Sequence, residues 1–269
     1  MPFPALSVIM AVYNGEPHLA EAIQSILNQT CKDFEFIVIN DGSTDGSGEI
    51  INLFGEKDNR IVVVHQENMG LARSLNTGIR LAKGDYIARQ DADDVSFPGR
   101  LEKQMTFLKH HRDVVLCGAW FEEVNEGGGR KIRRYPLEDR VLRRNLKYIN
   151  QFCHPSVVFE KQAFLRAGAY DERFCTGQDF ELWIRMAEQG AIANIPEICV
   201  KKRIGFDTTI SWKKRKMKLL LWRQMFEKHF KRDIKEVNPL KFIRYYLPLL
   251  AYGYLPVGVL KLVRRARYR

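Results

Sequence analysis

Cysteine is scarce in this 269-residue chain and never paired. Cys31, Cys117, Cys153, Cys175 and Cys199 are five, an odd number, scattered and without a C-x-x-C. That excludes a disulfide framework and a cysteine zinc site, and fits a reducing compartment. The start, Met1-Pro2-Phe3-Pro4, has no basic stretch leading into an apolar run, so no signal peptide is expected. No G-x-G-x-x-G follows the first apolar segment, which disfavours a dinucleotide-binding domain. Internal repeats and clean linkers are also missing. What is present, 45% hydrophobic and 28% charged residues, is the mix of an ordinary globular protein.

The net charge of +11 is unevenly placed. Acids and bases nearly balance from Met1 to Gly118, and the excess cations gather in Lys213–Lys216, around Lys228–Arg232, and in Arg264–Arg269. Lys213–Phe230 reads as an amphipathic helix. Phe242–Val263 is apolar but broken by Arg244, Pro248, Gly253, Pro256, Gly258 and Lys261. Spanning a bilayer takes about 20 mainly apolar residues, so the length barely suffices. Two prolines and basic, Tyr-rich flanks fit an interfacial hairpin better, with a segment packed on protein as the alternative.

The N-terminal half alternates apolar runs with amphipathic stretches. Strands are predicted at Leu6–Val12, Phe34–Asn40, Ile61–Val64 and Tyr86–Ala88. Helices are predicted at Pro17–Leu27, from about Ser47 to Phe54, and at Leu71–Ala82. This order implies a parallel sheet covered by helices, an α/β fold that binds ligands beyond the carboxyl ends of its strands. After Pro98 the pattern predicts a helix to His111, a strand at Val114–Trp120 and a flexible hairpin or loop over Glu122–Arg134. A basic helix at Asp139–Tyr148, a short strand at Val157–Phe159 and a helix over Gln178–Gln189 follow. The division expected is a single domain over 1–211, with a nucleotide-binding half to about 118 and an acceptor half after it, plus a helical extension over 212–269.

The polar residues of interest fall at predicted strand ends. Asp91-Ala92-Asp93-Asp94 places carboxylates at i and i+2 on a turn, where both can face one crevice. Hard divalent cations such as Mg²⁺ or Mn²⁺ take oxygen ligands of this kind together with phosphate oxygens. Such an ion would neutralise charge on a departing diphosphate. A D-x-D alone is common, and an acidic loop capping the next helix is the plain alternative. Asp41-Gly42-Ser43-Thr44-Asp45-Gly46-Ser47 ends the second strand. There Asp41 can accept a hydrogen bond from a base N–H, or simply form an Asx turn.

These segments together resemble family 2 glycosyltransferases. The resemblance is carried by Ser7–Asn14, Ile39–Asp45, Asn68-Met69-Gly70 with Asn76-Thr77-Gly78, Gly84–Ile87 and Asp91–Asp94. It implies a GT-A (Rossmann-like) fold and a nucleotide-sugar site. By matched position Ala11 and Tyr13 would line the base, Asp41 would bond its ring nitrogen, Asp91 would lie near the ribose, and Asp93 would hold the metal, Mn²⁺ or Mg²⁺. Arg73 lies on the helix that faces the nucleotide in such enzymes. Gly168–Phe174 followed by Thr176–Trp183 resembles the family's segment bearing the catalytic base, which maps to Asp179; an N-cap of the following helix is its plain reading. His154 and Trp183 are candidates for the acceptor side. The chain lacks the Q-x-x-R-W motif of processive members, which implies one sugar per encounter. It also has Gly205 where many relatives place a histidine able to assist the metal.

The expectation is therefore an inverting transferase moving a sugar, UDP-linked by preference, to a glycan or lipid-linked acceptor in cell-surface polysaccharide or glycolipid synthesis. It would be cytoplasmic, peripheral at the inner face of the membrane through its C-terminal segment, without nucleic acid. A sugar nucleotidyltransferase is one alternative, although Ala11–Glu16 lacks the basic phosphate loop usual there. A nucleic-acid-binding module using the basic tail is another.

Overall fold

The computed structural model describes residues 4–204. The predicted segments Lys213–Phe230 and Phe242–Val263, the division at 211/212 and Gly205 lie outside the described residues. Among the described residues no helix is long and apolar enough to cross a membrane.

The first half is built as predicted. Strands β1 (Leu6–Val12) and β2 (Glu35–Asp41) are buried along nearly their whole length, as parallel strands covered on both faces must be. Alternation then sorts their side chains. Val8, Met10, Phe36 and Val38 face a core completed by Leu19, Ile23 and Ile26 of α1 (Glu16–Leu27). Ile9, Ile37 and Ile39 face the opposite core with Leu75 and Ile79 of α3 (Leu71–Leu81). Helix α2 (Ser47–Lys57) leads to β3 (Ile61–Gln66), and β4 (Tyr86–Asp91) follows α3.

β1, β2, β3 and β4 form a parallel sheet in the order β3-β2-β1-β4. The chain moves outward from β1 to β3 and then returns to the other side of β1 to lay down β4. That reversal opens a crevice at the carboxyl ends of β1 and β4, where ligands of such sheets bind. Ala11 pairs with Asp91 at its rim.

Beyond β4 the sheet is mixed and continues β8-β6-β9-β5, with β7 beside β6. β5 (Val95–Ser96), α4 (Arg100–His110), β6 (Val114–Asn125), β7 (Arg130–Arg133), α5 (Asp139–Leu146), β8 (Val158–Glu160), α6 (Lys161–Arg166) and α7 (Gln178–Ala187) lead to β9 (Ala191–Ile204). The stretch Glu122–Arg134 is an ordered β6–β7 hairpin, Phe121 pairing with Arg133 and Val124 with Arg130.

The largest departure from expectation is β9, 14 residues long and paired in parallel with all of β6. A register shift at Ile195-Pro196-Glu197-Ile198 absorbs a proline that has no N–H for the ladder. Past this bulge Lys201 and Val200 pair with β5, and the strand carries Lys202 and Arg203 to the turn that ends β4. All five cysteines are free thiols, as their spacing implied.

Candidate active site

The acidic turn is held from below. Gln90 Nε2 donates to the carbonyls of Asp91 (3.1 Å) and Asp94 (2.8 Å), while its Oε1 accepts from Ser96 Oγ (2.6 Å) and Arg100 Nη1 (3.1 Å). Arg100 is fully buried, and also donates to Ser96 Oγ, Gln104 Oε1 and the carbonyls of Arg89 and Val157. Burial pulls its guanidinium down to about 10, but it remains a cation.

Above this base Asp91, Asp93 and Asp94 each offer a carboxylate oxygen within 4.8 Å of the others. Asp91 Oδ1 accepts from the buried Arg89 Nη2 at 2.5 Å. Burial works against the Asp91 charge, but Arg89 and Lys202 overcome it and hold the carboxyl well below its usual range. Asp94 Oδ1 accepts from Arg203 N at 2.8 Å, and Asp94 Oδ2 is buried without a hydrogen-bond partner. Lys202 Nζ stands 3.6 Å from that oxygen and 3.7 Å from Asp91 Oδ2. Burial lifts the Asp94 carboxyl to about 7, with Asp91 and Asp93 adding like-charge repulsion that Lys202 only partly relieves. An orphaned buried oxygen in a crowd of carboxylates is the donor set that a hard divalent cation fits. Beside Asp93 a cavity of about 350 Å³ opens, bordered by His18, Asn125, Glu126 and Arg203.

The base side is built by three loops. Tyr13 is exposed past the end of β1, and Asn14 adopts a left-handed φ of 52°. Asn14 N donates to Ser43 Oγ, Thr44 N donates to Asn14 Oδ1, and Gly15 N donates to Ser47 Oγ, stitching the loop after β1 to the one after β2. Asp41 is turned inward. Its Oδ1 accepts from Met69 N (2.9 Å) and Gln66 Nε2 (2.8 Å), and its Oδ2 accepts from Gly70 N (2.9 Å). Burial opposes its ionisation, yet these donors together keep the carboxyl low. Asp41 therefore shapes the loop before α3, with both carboxylate oxygens engaged there.

Arg73 Nε donates to Glu172 Oε2 at 2.8 Å, so the nucleotide-facing candidate is an exposed ion pair in this state. Asn76 bridges α3 to the segment before α7, its Nδ2 donating to Tyr170 O (2.9 Å) and its Oδ1 accepting from Tyr170 N (3.0 Å).

At α7 the cap is Gly177, with φ 73°, and Asp179 sits inside the first turn. Its carboxylate makes no cap; Oδ2 accepts from Asn150 Nδ2 at 2.8 Å, and Asn150 Oδ1 in turn accepts from Phe152 N. Trp183 is 0% exposed and packs edge-on against Phe152, His154 and Tyr170. That corrects its placement on the acceptor side: a ring with no exposed surface is floor, not contact. His154, also buried, shares a 2.8 Å hydrogen bond with the Tyr170 hydroxyl. Burial, aided by Arg89, pulls its imidazole down to about 4, so it is neutral near pH 7; Asp179 and Asp91 both act on it in the opposite sense. No local sequence signal marks Asn150, Lys202 or Arg100; each matters through partners far along the chain.

The profile of glycosyl transferase family 2 matches residues 7–174. The chain belongs to this family. It is 33% identical over 271 residues to an uncharacterized glycosyltransferase of Methanocaldococcus jannaschii, covering 97% of this chain and 92% of the relative. It is 29% identical over 262 residues to the amylovoran biosynthesis glycosyltransferase AmsE of Erwinia amylovora, covering 95% and 96%. Among solved structures, S. aureus TarS 1-349 in complex with UDP-GlcNAc superposes with TM-score 0.70 at 16% identity, over 90% of this chain and 71% of that one. The mannosyltransferase PcManGT of Pyrobaculum calidifontis, in complex with GDP-Man and Mn²⁺, gives TM-score 0.63 at 21% identity, over 99% and 76%. The fold is that of GT-A glycosyltransferases, and the family 2 enzyme carries its acidic turn where such a sheet opens.

Proposed function

We propose that this glycosyltransferase moves a sugar from a nucleoside diphosphate, UDP by preference, to an acceptor hydroxyl with inversion, using a divalent metal. The observation that carries the reading is the cluster of Asp91, Asp93 and Asp94 with its Asp94 Oδ2 buried and without a hydrogen bond. Asp93 and Asp94, with Asp91 beside them, would hold Mn²⁺ or Mg²⁺, which when bound neutralises charge on the departing diphosphate. The base of the donor would rest between Ala11, Tyr13 and Asp41, with Asp91 toward the ribose and Arg73 released from Glu172 toward the nucleotide. That the relatives include an amylovoran biosynthesis enzyme and an E. coli O-antigen biosynthesis glycosyltransferase supports a surface-glycan or lipid-linked acceptor.

Asp179 is proposed as the base. The acceptor hydroxyl gives its proton to the Asp179 carboxylate as its oxygen bonds to the anomeric carbon, and the bond from that carbon to the diphosphate breaks. Asn150 fixes the carboxylate so that one oxygen faces the acceptor. The basic, apolar C-terminal segment is read as a docking element for the inner face of the membrane. Deleting residues 240–269 should then move the protein from the membrane fraction to the soluble one.

The test is a screen of nucleotide-sugar turnover with and without Mn²⁺, with Asp93→Ala and Asp179→Ala as controls. Metal-dependent turnover that both variants abolish supports the proposal. Absence of metal-dependent turnover and of nucleotide binding with every donor would refute it, and near-normal transfer by Asp179→Ala would remove the base assignment alone.

A further inference from the structure

Lys202 is held where the divalent cation is expected. β9 brings it past the bulge at Pro196, 108 positions after Asp94 in the chain, to face the acidic turn. Its ammonium lies 3.6 Å from Asp94 Oδ2 and 3.7 Å from Asp91 Oδ2, and among the described residues both of its ion pairs are with the cluster. The neighbouring cations are committed otherwise. Arg89 holds the other oxygen of Asp91, and Arg203 is bonded to Glu21 and to the carbonyl of Asp93. Lys202 therefore neutralises the two carboxylate oxygens that the fold has left for a metal.

A dication and an ammonium cannot share those oxygens at low cost. Coordination at about 2 Å would set the metal within a few ångströms of Nζ, and like charges that close repel strongly in a half-buried site. A lysine can yield, since its charge is a point on a flexible four-carbon stem, where an arginine would be tied to a fixed fork. It moves only if another anion receives it, and a nucleotide diphosphate arriving at the turn is that anion.

We propose that Lys202 is an exchangeable counter-ion: it holds Asp91 and Asp94 together without donor, yields to the divalent cation when a nucleotide diphosphate arrives, and then pairs with the diphosphate. This rests on the metal-and-donor reading above and adds a coupling to it. Free enzyme binds metal weakly, and nucleotide and metal each tighten the other, by one common factor as linkage requires.

The experiment is Mn²⁺ binding to the full-length chain, followed by the paramagnetic resonance of free Mn²⁺ and by calorimetry, with and without UDP and GDP. The proteins compared are wild type, Lys202→Met, Lys202→Gln and Lys202→Arg. Without nucleotide, the Met and Gln variants should bind Mn²⁺ about tenfold more tightly, and the enhancement by nucleotide, about tenfold or more in wild type, should shrink in both. Lys202→Arg, which keeps the charge, should resemble wild type without nucleotide. The Gln variant stands in should the Met variant fail to fold. Unchanged or weaker Mn²⁺ binding by the neutral variants, or an undiminished nucleotide enhancement, overturns the role of Lys202 while leaving the metal reading intact. A wild type that binds no Mn²⁺ with either nucleotide overturns both.

Discussion

His154 couples the stability of the fold to pH. Its ring is buried against Trp183 and Tyr170, with the Tyr170 hydroxyl on one nitrogen, and its pKa falls from 6.5 to about 4. The sign follows from which state binds the proton. Below pH 6.5 the unfolded chain protonates this histidine while the fold keeps it neutral, so the unfolded state binds more protons and stability falls as pH is lowered. The loss begins near pH 6.5 and is complete near pH 4, where the folded imidazole also titrates. At about 1.36 kcal/mol per pH unit, the drop amounts to about 3 kcal/mol, a large part of a typical domain's stability. The groups facing the ring, Arg89 and Lys202 against its charge and Asp179 and Asp91 for it, are common to any variant that changes only the histidine. The assay is urea unfolding of wild type and His154→Gln at half-unit steps from pH 4 to 7.5. Glutamine keeps a partner for Tyr170 but cannot titrate. The gap between the two curves should close, and then reverse in favour of the variant, by about 3 kcal/mol between pH 7 and pH 4. Parallel curves would mean that His154 is hydrated or protonated in the fold, and the neutral, buried assignment would fall.

Three further outcomes follow from named contacts. Replacing Arg100 by Met strands the acceptors of Gln90, Ser96 and Gln104 and two carbonyls, so unfolding free energy should drop by about 3 kcal/mol or more, with Mn²⁺ affinity falling as the turn loosens; chemical denaturation and a metal titration check both. Gly84→Ala sets a Cβ 2.7 Å from the backbone of Leu6 and Ser7, where neither atom can step aside, and calorimetry should show about 1–3 kcal/mol lost. Asn150→Ala frees the Asp179 carboxylate to rotate; if Asp179 is the base, kcat should fall by about tenfold or more with donor KM unchanged, and Asp179→Asn should lose about 10²–10⁴-fold. Equal loss in kcat and donor affinity would instead mark Asn150 as a merely structural contact.

What could be read in advance follows from how local the cause is. β1 and β2 are parallel strands covered on both faces, so their apolar runs announced them, and the polar residues at their ends stood out by contrast. β9 escaped because Asn194, Pro196-Glu197 and Lys201-Lys202-Arg203 interrupt its apolar pattern. It is a strand because β6, nearly eighty residues earlier, supplies a ladder. Gly78 looked like a motif residue without a reason. The reason is that Ile39 and Ile9 crowd the space a side chain would take, which allows α3 to lie close over β1 and β2. Asp179 read first as a base, with an N-cap as its plain alternative, and a glycine in the left-handed region took the cap.

The acidic residues show the limit most clearly, because sequence names carboxylates whereas chemistry uses oxygens. Asp41, Asp91, Asp93 and Asp94 all end strands or turns in one crevice, and spacing ranks them alike. The fold then spends their acceptors unequally. Both oxygens of Asp41 go to the loop before α3, one oxygen of Asp91 goes to Arg89, and one of Asp94 goes to the N–H of Arg203. What remains is Asp91 Oδ2, Asp94 Oδ2 and the carboxylate of exposed Asp93, three oxygen sources around one point with a single lysine against them. A buried carboxylate oxygen without a hydrogen bond is costly unless a cation stands beside it, as Lys202 does here. Which oxygens are left over is thus decided by the hydrogen bonds the acidic turn makes elsewhere, and those are fixed by Arg89, Arg203 and β9, none of which the D-x-D spacing contains.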